Sequence, residues 1–282
     1  SGHPDKMCDA VAEAIVQAAL AVDLDAYGQV EVSVWNREMW MTGDIVTRGP
    51  IRKRFETIAR ETVLGLGYRG RNAFRASDLT IRCSVGYTSS DPKVFTHRVN
   101  DLCIAVGWAG YDAKVDHLPP EHFLARRFAS SLDQSFLAGE LKGQGPDGKL
   151  LLRLREDQNG WTLEHVLATV QQQEHTRFLE FVGKVEGVLC KTYLDLRKCD
   201  KRWCADWRDV QVLINPNGPL VEGGPLSDNG QTGRKLVMDY YGPRVPIGGG
   251  AIYGKDPRHI DRAAATAARQ AAIEAVQGGA SE

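Results

Sequence analysis

The sequence lacks a long hydrophobic run, a signal-like start and an excess of charge of either sign. No apolar segment approaches the roughly 20 residues that cross a bilayer, and the opening SGHPDK is unlike a signal peptide. With 35 basic and 36 acidic residues, the formal net charge is -1, which excludes a long-range field that attracts nucleic acid or an anionic membrane. We therefore expect a cytoplasmic protein that recognises any anionic ligand through a local cluster of residues.

Paired cysteine motifs are absent as well. The six cysteines include no CxxC pair and have no histidines at the spacing of zinc ligands. We expect reduced thiols, and we expect Cys83 and Cys103, which lie in apolar runs, to fill core space as small hydrophobic side chains. Low-complexity sequence is also absent, and the composition gives no sign of disorder.

Hydrophobic periodicity predicts a repeated order of elements. A helix, a hairpin of two strands, a second helix and a further strand are predicted at residues 4–22, 30–34, 39–41, 51–62 and 79–85. A helix, two strands and a helix follow at 123–141, 149–155, 161–170 and 177–190. A third, incomplete copy is predicted to start with a strand at 210–214 and to end with a helix at 257–276. Hairpins grouped with helices favour an α+β fold, with helices on one face of mostly antiparallel sheets.

The first charged motif, GHPDK, places His3, Asp5 and Lys6 at the start of the first helix. Free backbone amides and the helix dipole favour phosphate oxygens at this end of a helix. Asp5 is therefore a candidate ligand for a magnesium ion on a polyphosphate, with Lys6 neutralising an oxygen and His3 donating a hydrogen bond. An ordinary capped helix with solvated charges is the alternative interpretation.

A second motif, GGGAIYGKD at 248–256, imitates the GxxxxGK phosphate loop. Asp256 stands where that loop needs Ser or Thr, and the preceding GPRVPI carries two prolines where a buried strand is required, so a P-loop NTPase is excluded. The glycines still let the backbone approach a ligand closely. Charged residues crowd the start of the last helix, namely Lys255, Arg258, His259, Asp261 and Arg262. A solvated helix end is the alternative.

A third motif occupies the glycine- and proline-rich segment 214–235. It holds Asn215, Asp228, Arg234 and Lys235. A loop of this length is either functional or disordered, and its apolar residues argue for order. We therefore expect an ordered, functional loop.

The stretches GHPDK, GGPLSDNGQTGRK and GGGAIYGKDPRHIDRAAATAAR, in this order, closely resemble the three signature stretches of the methionine adenosyltransferases, or S-adenosylmethionine synthetases. Weaker similarity extends over nearly the whole chain. The resemblance implies β-sheet and helix units in a pseudo-threefold arrangement, with the third unit incomplete. It implies an N-terminal domain at 1–97, a central domain at 98–222 and a C-terminal domain at 223–282 that is shortened relative to the family.

The resemblance also implies roles for single residues. His3 becomes an ATP-site histidine, Asp5 a magnesium ligand and Lys6 a phosphate contact. Glu31 falls where the family binds a potassium ion. Asp44 falls where the family has a glutamate that holds the methionine amino group, and the aspartate is one methylene shorter.

Further implied site residues lie in the later motifs. Asp101, in NDLC where the family has GDQG, is implied to lie near methionine and the ribose. Asp147 and Lys149, in PDGK, resemble the PDAK contacts to nucleotide and phosphate, with a simple hairpin turn as the alternative. The two glycine-rich motifs carry further matching positions, namely Asp228, Arg234, Lys235, Lys255 and Asp261. The roles implied for these residues are methionine binding and triphosphate binding, and magnesium binding for Asp261.

The sequence departs from the family pattern in three ways. His259 stands where the family places a lysine that touches phosphate and the methionine carboxylate. If His259 does that lysine's work, His259→Lys should keep or raise activity, and a large loss would give the histidine a role of its own. The segment 87–101 is shorter than the family's gating loop, with His97 as a stand-in for its glutamine. The first and closing strands of the family fold are missing, so we expect a fragment or a shortened variant.

The implied activity is formation of S-adenosylmethionine from ATP and L-methionine, with release of pyrophosphate and phosphate. The implied cofactors are two Mg²⁺ per site and K⁺, and the implied assembly is a homodimer or a tetramer of dimers with the site between subunits. One alternative is an ATP- or polyphosphate-binding pseudoenzyme, or a tripolyphosphatase, that has lost methionine chemistry. Another is a structural partner subunit that binds no ATP.

Overall fold

The computed structural model describes residues 2–97 and 101–280 and has a mixed α+β fold, as the sequence predicts. The helices are α1 (Pro4–Leu20), α2 (Phe55–Gly65), α3 (Lys93–Thr96), α4 (Pro120–Leu137), α5 (Phe178–Cys199), α6 (Leu236–Asp239) and α7 (Ile260–Gln277). The strands are β1 (Tyr27–Trp35), β2 (Glu38–Thr47), β3 (Thr80–Ser89), β4 (Gln144–Asp157), β5 (Gly160–Gln172), β6 (Gln211–Ile214) and β7 (Gly230–Gln231). These described residues divide into two compact units.

The first unit comprises residues 2–70, 74–97, 101–110 and 224–280. Its sheet has the order β3-β2-β1-β7, with β2 and β3 parallel and the other pairs antiparallel. The alternating valines of β1 are buried, and α1 covers them with a stripe at helical spacing that includes Met7, Val11 and Ile15. The opposite face of β1 carries Glu31, which is half-buried. Burial of one face of β1 against α1 fixes which side chains remain available for a site.

The second unit comprises residues 71–73 and 111–223. Its sheet has the order β4-β5-β6, with β4 and β5 antiparallel and β5 and β6 parallel. Aromatic side chains form much of its interior, and the rings of Trp161 and Trp203 lie 4.7 Å apart between their centroids. Phe181, Val185 and Leu189 of α5 are buried, as their helical spacing predicts.

The predicted repeat of helix, hairpin, helix and strand occurs in each unit, with one correction. The strand at 210–214 was expected to start a third copy, but β6 pairs in parallel with β5, as β3 pairs with β2. This strand therefore completes the second copy, because only the long-range pairing decides the sheet to which a short strand belongs. The expected domain boundaries at 97/98 and 222/223 stay a prediction.

Within the described part of the chain, no helix has the combination of length and apolar character that crossing a membrane requires. All six thiols are free. Cys8, on the inner face of α1, is fully buried, and burial raises the pKa of its thiol well above the usual value, with Asp9 and Asp5 adding to the effect. Cys83 and Cys103 are only half-buried, so they fill core space less completely than the sequence predicts.

Candidate functional site

The N-terminus of α1 brings the first motif against the third. Asp5 is almost completely buried, with 1% of its surface exposed. One carboxylate oxygen accepts a hydrogen bond from the N–H of Gln231 at 2.9 Å, and the other accepts one from the ammonium of Lys235. A guanidinium nitrogen of Arg234 lies 3.5 Å from Asp5. Residues more than two hundred positions apart therefore meet at the start of the first helix.

Close backbone packing makes this meeting possible. Gly230 begins the two-residue strand β7, which pairs with β1, and a Cβ atom at Gly230 would lie 2.3 Å from the carbonyl oxygen of Pro4. The next glycine of the motif, Gly233, donates its N–H to Asp9 at 2.9 Å. The ordered loop that the sequence predicts is thus held on β1 by a sheet pairing and on α1 by backbone hydrogen bonds to carboxylates.

Lys6 lies between two carboxylates. Its ammonium is 2.5 Å from Asp239 and 2.7 Å from Asp9, and it lies 4.0 Å above the ring of Tyr253. Burial alone would lower the pKa of Lys6, but hydrogen bonds to both carboxylates raise it above the usual value. Burial raises the pKa of Asp239, and the ammonium of Lys6 offsets part of that effect. Lys6 is therefore held as a cation.

The start of α7 forms a matching arrangement in the second motif. Lys255 is buried, and its ammonium donates to Asp261 at 2.6 Å. The guanidinium of Arg262 donates two hydrogen bonds of 3.0 Å to Glu13 of α1 and a third of 2.7 Å to the carbonyl oxygen of Lys255. The bidentate Arg262–Glu13 pair ties α7 directly to α1.

The two helix starts belong to one site. Val30 of β1 donates its N–H to the carbonyl oxygen of Gly254 at 2.7 Å, which places Lys255 beside the sheet. Burial raises the pKa of Glu31, Lys255 lowers it and Asp9 raises it, so Glu31 lies in the field of both arrangements.

Tyr240 provides a second link between the two helix starts. Its hydroxyl donates to the carbonyl oxygen of Gly250 at 2.8 Å. Burial raises the pKa of Tyr240 to about 12, with Asp261, Tyr241 and Asp239 adding to the shift. The field of carboxylates from both arrangements reaches this one hydroxyl. We refer to the residues of the two arrangements as the acid–base cluster: His3, Asp5, Lys6, Asp9, Arg234, Lys235, Asp239, Lys255, His259 and Asp261.

Most of the residues predicted as site residues lie in or beside the acid–base cluster. Asp228 joins it at the edge, with a carboxylate oxygen 3.6 Å from Nε2 of His3, and Glu31 faces it from β1. Asp44 is exposed on β2, where its carboxylate lies against Gly86 of β3. Asp101 is exposed and accepts a hydrogen bond from the N–H of Leu102 at 2.7 Å. Within residues 2–97 and 101–280, neither Asp44 nor Asp101 forms a hydrogen bond or an ion pair with a residue of the cluster.

Three further residues predicted for the site are the nucleotide contacts Asp147 and Lys149 and the gating-loop residue His97. Asp147 and Lys149 belong to the second unit, where Asp147 is buried and donates its N–H to Gln171 at 3.2 Å, while Lys149 is exposed. His97 ends α3, and its Nδ1 lies 2.8 Å from the carbonyl oxygen of Lys93. Part of the predicted gating segment, residues 98–100, lies outside the described residues. The roles of these residues stay predictions.

Sequence reasoning missed three partners of Lys6. Asp9 carried a usable signal, because a position four residues after Asp5 lies on the same face of a helix. Asp239 lies outside the three motifs, and Tyr253 lies within the second motif, but the proximity of both to Lys6 arises only from the fold.

The carboxylates of the cluster suit a metal ion that brings further ligands with it. Among residues 2–97 and 101–280, no group of three or more His, Cys, Asp or Glu side chains is arranged to hold a metal ion. Mg²⁺ is usually bound through one or two carboxylates and completed by water and substrate phosphates. Asp5 and Asp261, each bonded to a lysine, offer that limited donor set, so the cluster fits Mg²⁺ bound to a polyphosphate.

Family models and individual proteins that are similar to this chain carry equivalent names. The sequence models described as S-adenosylmethionine synthetase, N-terminal domain, and S-adenosylmethionine synthetase, C-terminal domain, match residues 1–90 and 222–282. A protein named S-adenosylmethionine synthase from Thermosynechococcus vestitus is 31% identical over 99% of the chain and 71% of its own length. Proteins of the same name from Nocardia farcinica and Nostoc punctiforme are 30% and 31% identical over the whole chain and over 73% and 71% of their own lengths.

Proposed function

Because the chain belongs to the S-adenosylmethionine synthetase family, we propose that it is a methionine adenosyltransferase that forms S-adenosylmethionine from ATP and L-methionine. Triphosphate is the leaving group, and its hydrolysis gives pyrophosphate and phosphate. The observation that supports this proposal best is the acid–base cluster, in which three lysines from three segments are each bonded to a carboxylate.

The pairing of charges in the cluster selects the ligand. A free anion would be repelled by the carboxylates that lie beside the lysines. A free metal ion would be repelled by the lysines that lie beside the carboxylates. A metal polyphosphate presents both signs at once: Asp5 and Asp261 would hold its metal ions, and Lys6, Lys235 and Lys255 would bind its phosphate oxygens. The helix N-termini at Pro4 and Ile260 add backbone dipoles that favour the phosphate oxygens.

This arrangement suits displacement of triphosphate by a thioether. The sulfur of methionine forms a bond to the ribose C5′ of ATP as the C5′–O bond breaks, and the electron pair leaves on the triphosphate. The thioether carries no proton to remove, so the protein has to orient sulfur against carbon and stabilise the leaving polyanion. When bound, Mg²⁺ would neutralise part of the charge that develops on the leaving group.

The remaining site residues extend the proposal to methionine, nucleotide and potassium. We assign methionine contacts to Asp44, Asp101 and Asp228, and nucleotide and phosphate contacts to Asp147 and Lys149. Glu31 is assigned to K⁺ because its half-buried carboxylate faces the cluster from β1. His259, at the start of α7, completes the set.

The proposed functional unit is a homodimer, or a tetramer of dimers, with the site between subunits. An exposed apolar row on the second unit's sheet supports self-association. Leu151, Leu167 and Leu213 are register partners across β4, β5 and β6, and Leu151 and Leu213 are 61% and 43% exposed. Such a row on the open face of a sheet is typical of a contact surface. The mass of the purified particle in solution tests the assembly.

The test of the activity is a product assay. Purified protein is incubated with ATP, L-methionine, MgCl₂ and KCl, and S-adenosylmethionine, pyrophosphate and phosphate are measured together. We expect one S-adenosylmethionine for each pyrophosphate, and a rate lower by on the order of a hundredfold or more from an Asp5→Asn variant purified in the same way. Phosphate without the sulfonium product would instead indicate a tripolyphosphatase or a pseudoenzyme. Absence of ATP binding in a calorimetric titration would indicate a structural subunit.

A further inference from the structure

Two helices of the first unit begin in the same way. α1 follows His3, with φ -53° and ψ 137°, and α7 follows His259, with φ -55° and ψ 133°. In each case Nδ1 of the histidine accepts the N–H of the aspartate two positions later, at 3.2 Å for Asp5 and 3.3 Å for Asp261. Nδ1 also lies at similar distances from the aspartate Oδ2 atoms, 3.7 and 3.8 Å. The two helix starts therefore share one local geometry.

The surroundings of the two aspartates match as well. Asp5 accepts a hydrogen bond from Lys235, and Asp261 accepts one from Lys255, and each lysine comes from a glycine-rich motif. The cation that follows each aspartate is bonded to a carboxylate of α1, in the pairs Lys6–Asp9 and Arg262–Glu13. The same arrangement thus occurs twice in one site.

We propose that His259 is a positioning residue that caps α7 and orients the carboxylate of Asp261, as His3 does for Asp5. On this account His259 does not take over the work of the lysine that the family has at this position. A lysine side chain carries donors and no acceptor, so it cannot receive the N–H of Asp261. Only the catalytic consequence of this inference rests on the proposed function, since the cap itself is a property of the unliganded chain.

The cap matters because it acts on a residue that faces the ligand. The first N–H groups of a helix have no partner within the helix, and a side-chain acceptor at the N-cap satisfies one of them. Loss of the acceptor would loosen the first turn of α7, and the Asp261 carboxylate would then hold its metal ion less well.

Three variants and one control separate capping from charge. His259→Ala removes the acceptor, His259→Lys removes it and adds a cation, and His259→Asn keeps an oxygen that can cap. His175→Lys makes the same replacement at an exposed histidine in the loop before α5 and reports any general effect of the added charge. Circular dichroism shows whether each variant is folded.

The first readout is exchange of the Asp261 amide hydrogen, followed by NMR on the unliganded protein. We expect exchange to be about fivefold faster in the alanine and lysine variants, as expected for loss of a helix cap, and within about twofold of the parent in the asparagine variant. The second readout is the MgCl₂ concentration at half-maximal binding of tripolyphosphate. We expect that midpoint to rise by about fivefold in the same two variants.

The outcomes discriminate between the possible roles. The proposal is overturned if the lysine variant exchanges the Asp261 amide hydrogen no faster than the parent and binds tripolyphosphate at the same or a lower MgCl₂ midpoint. His259 would then be a substitute for the family's lysine. An asparagine variant that fails as the alanine variant does also overturns it, since capping is then not the cause. If the exchange pattern is as expected but the parent forms no S-adenosylmethionine, the positioning role stands and the proposed function fails.

Discussion

Charged side chains pair differently in the acid–base cluster of the first unit and on α5 of the second unit. In the acid–base cluster, Lys6 is bonded to Asp239, 233 residues away, and Lys235 to Asp5, 230 residues away, and the side chains of the two aspartates are 3% and 1% exposed. On α5 of the second unit, Lys184 pairs with Glu180 at i,i+4 and Lys198 with Asp195 at i,i+3, and these side chains are 40% to 75% exposed. The cluster joins distant segments, whereas the α5 pairs join neighbours.

The difference indicates which pairs serve function. An exposed pair contributes about 0–1 kcal/mol and needs no other reason to exist on a helix surface. Burying a pair costs desolvation that its attraction often fails to recover, so hydrophobic side chains of equal volume would stabilise the fold as well or better. Several buried pairs gathered at two helix N-termini are therefore better explained by a charged ligand than by stability.

The sharpest test of this contrast is removal of one charge from each region. Lys255→Ala and Asp5→Asn should each lower turnover by on the order of a hundredfold or more, because each removes a group that stabilises charge in the transition state. Steady-state rates of S-adenosylmethionine formation measure the effect. Lys184→Ala, on α5, is the matched control and should change the rate little. Near-normal rates in both cluster variants would refute the assignment of the site.

A second comparison concerns stability rather than rate. Lys6→Ala leaves Asp9 and Asp239 facing each other, and breaking a buried pair costs about 3–5 kcal/mol. Lys6 retains some contact with solvent, so we expect a smaller loss of about 2–3 kcal/mol in the free energy of unfolding. Urea unfolding without ligand measures it. For Lys198→Ala the expected loss is below about 0.5 kcal/mol, and equal losses in the two variants would remove the distinction between the regions.

The ion pair between Asp23 and Arg48 lies outside the cluster and gives a test that depends on pH. Asp23 accepts three hydrogen bonds from Arg48, at 2.5, 2.8 and 3.0 Å. Hydrogen bonds from the Arg48 side chain hold the pKa of Asp23 well below its usual range, although burial opposes this. This contribution to stability is fully present above the unfolded pKa of about 3.9 and is lost as the pH falls through the lower folded value.

The measurement for this pair is thermal unfolding of the parent and Asp23→Asn as a function of pH. We expect the variant to unfold at a lower temperature at pH 7, with the gap narrowing progressively below about pH 4. A gap that is constant across this range would show that the ionised carboxylate is not its cause.

The sequence predicts local features of this molecule better than distant ones. The periodicity of residues 4–22 and the HPDK motif predict α1, which spans Pro4–Leu20 and begins at the expected charged residues. The same reasoning assigns the strand at 210–214 to the wrong repeat, because its parallel pairing with β5 is a contact across about 45 residues. It also leaves out Asp239, because only the fold brings the last residue of α6 to Lys6 in the first turn of α1. Local periodicity determines an element, whereas the partner of a buried charge depends on the whole fold.

Calorimetric titration of tripolyphosphate into the unmodified chain, with and without MgCl₂, tests the central claim most directly. A cluster of alternating lysines and carboxylates should bind the polyanion tightly only when Mg²⁺ is present, and Lys255→Ala should abolish most of that binding. Equal affinity with and without Mg²⁺, or binding that survives loss of Lys255, would contradict a site built for a metal polyphosphate.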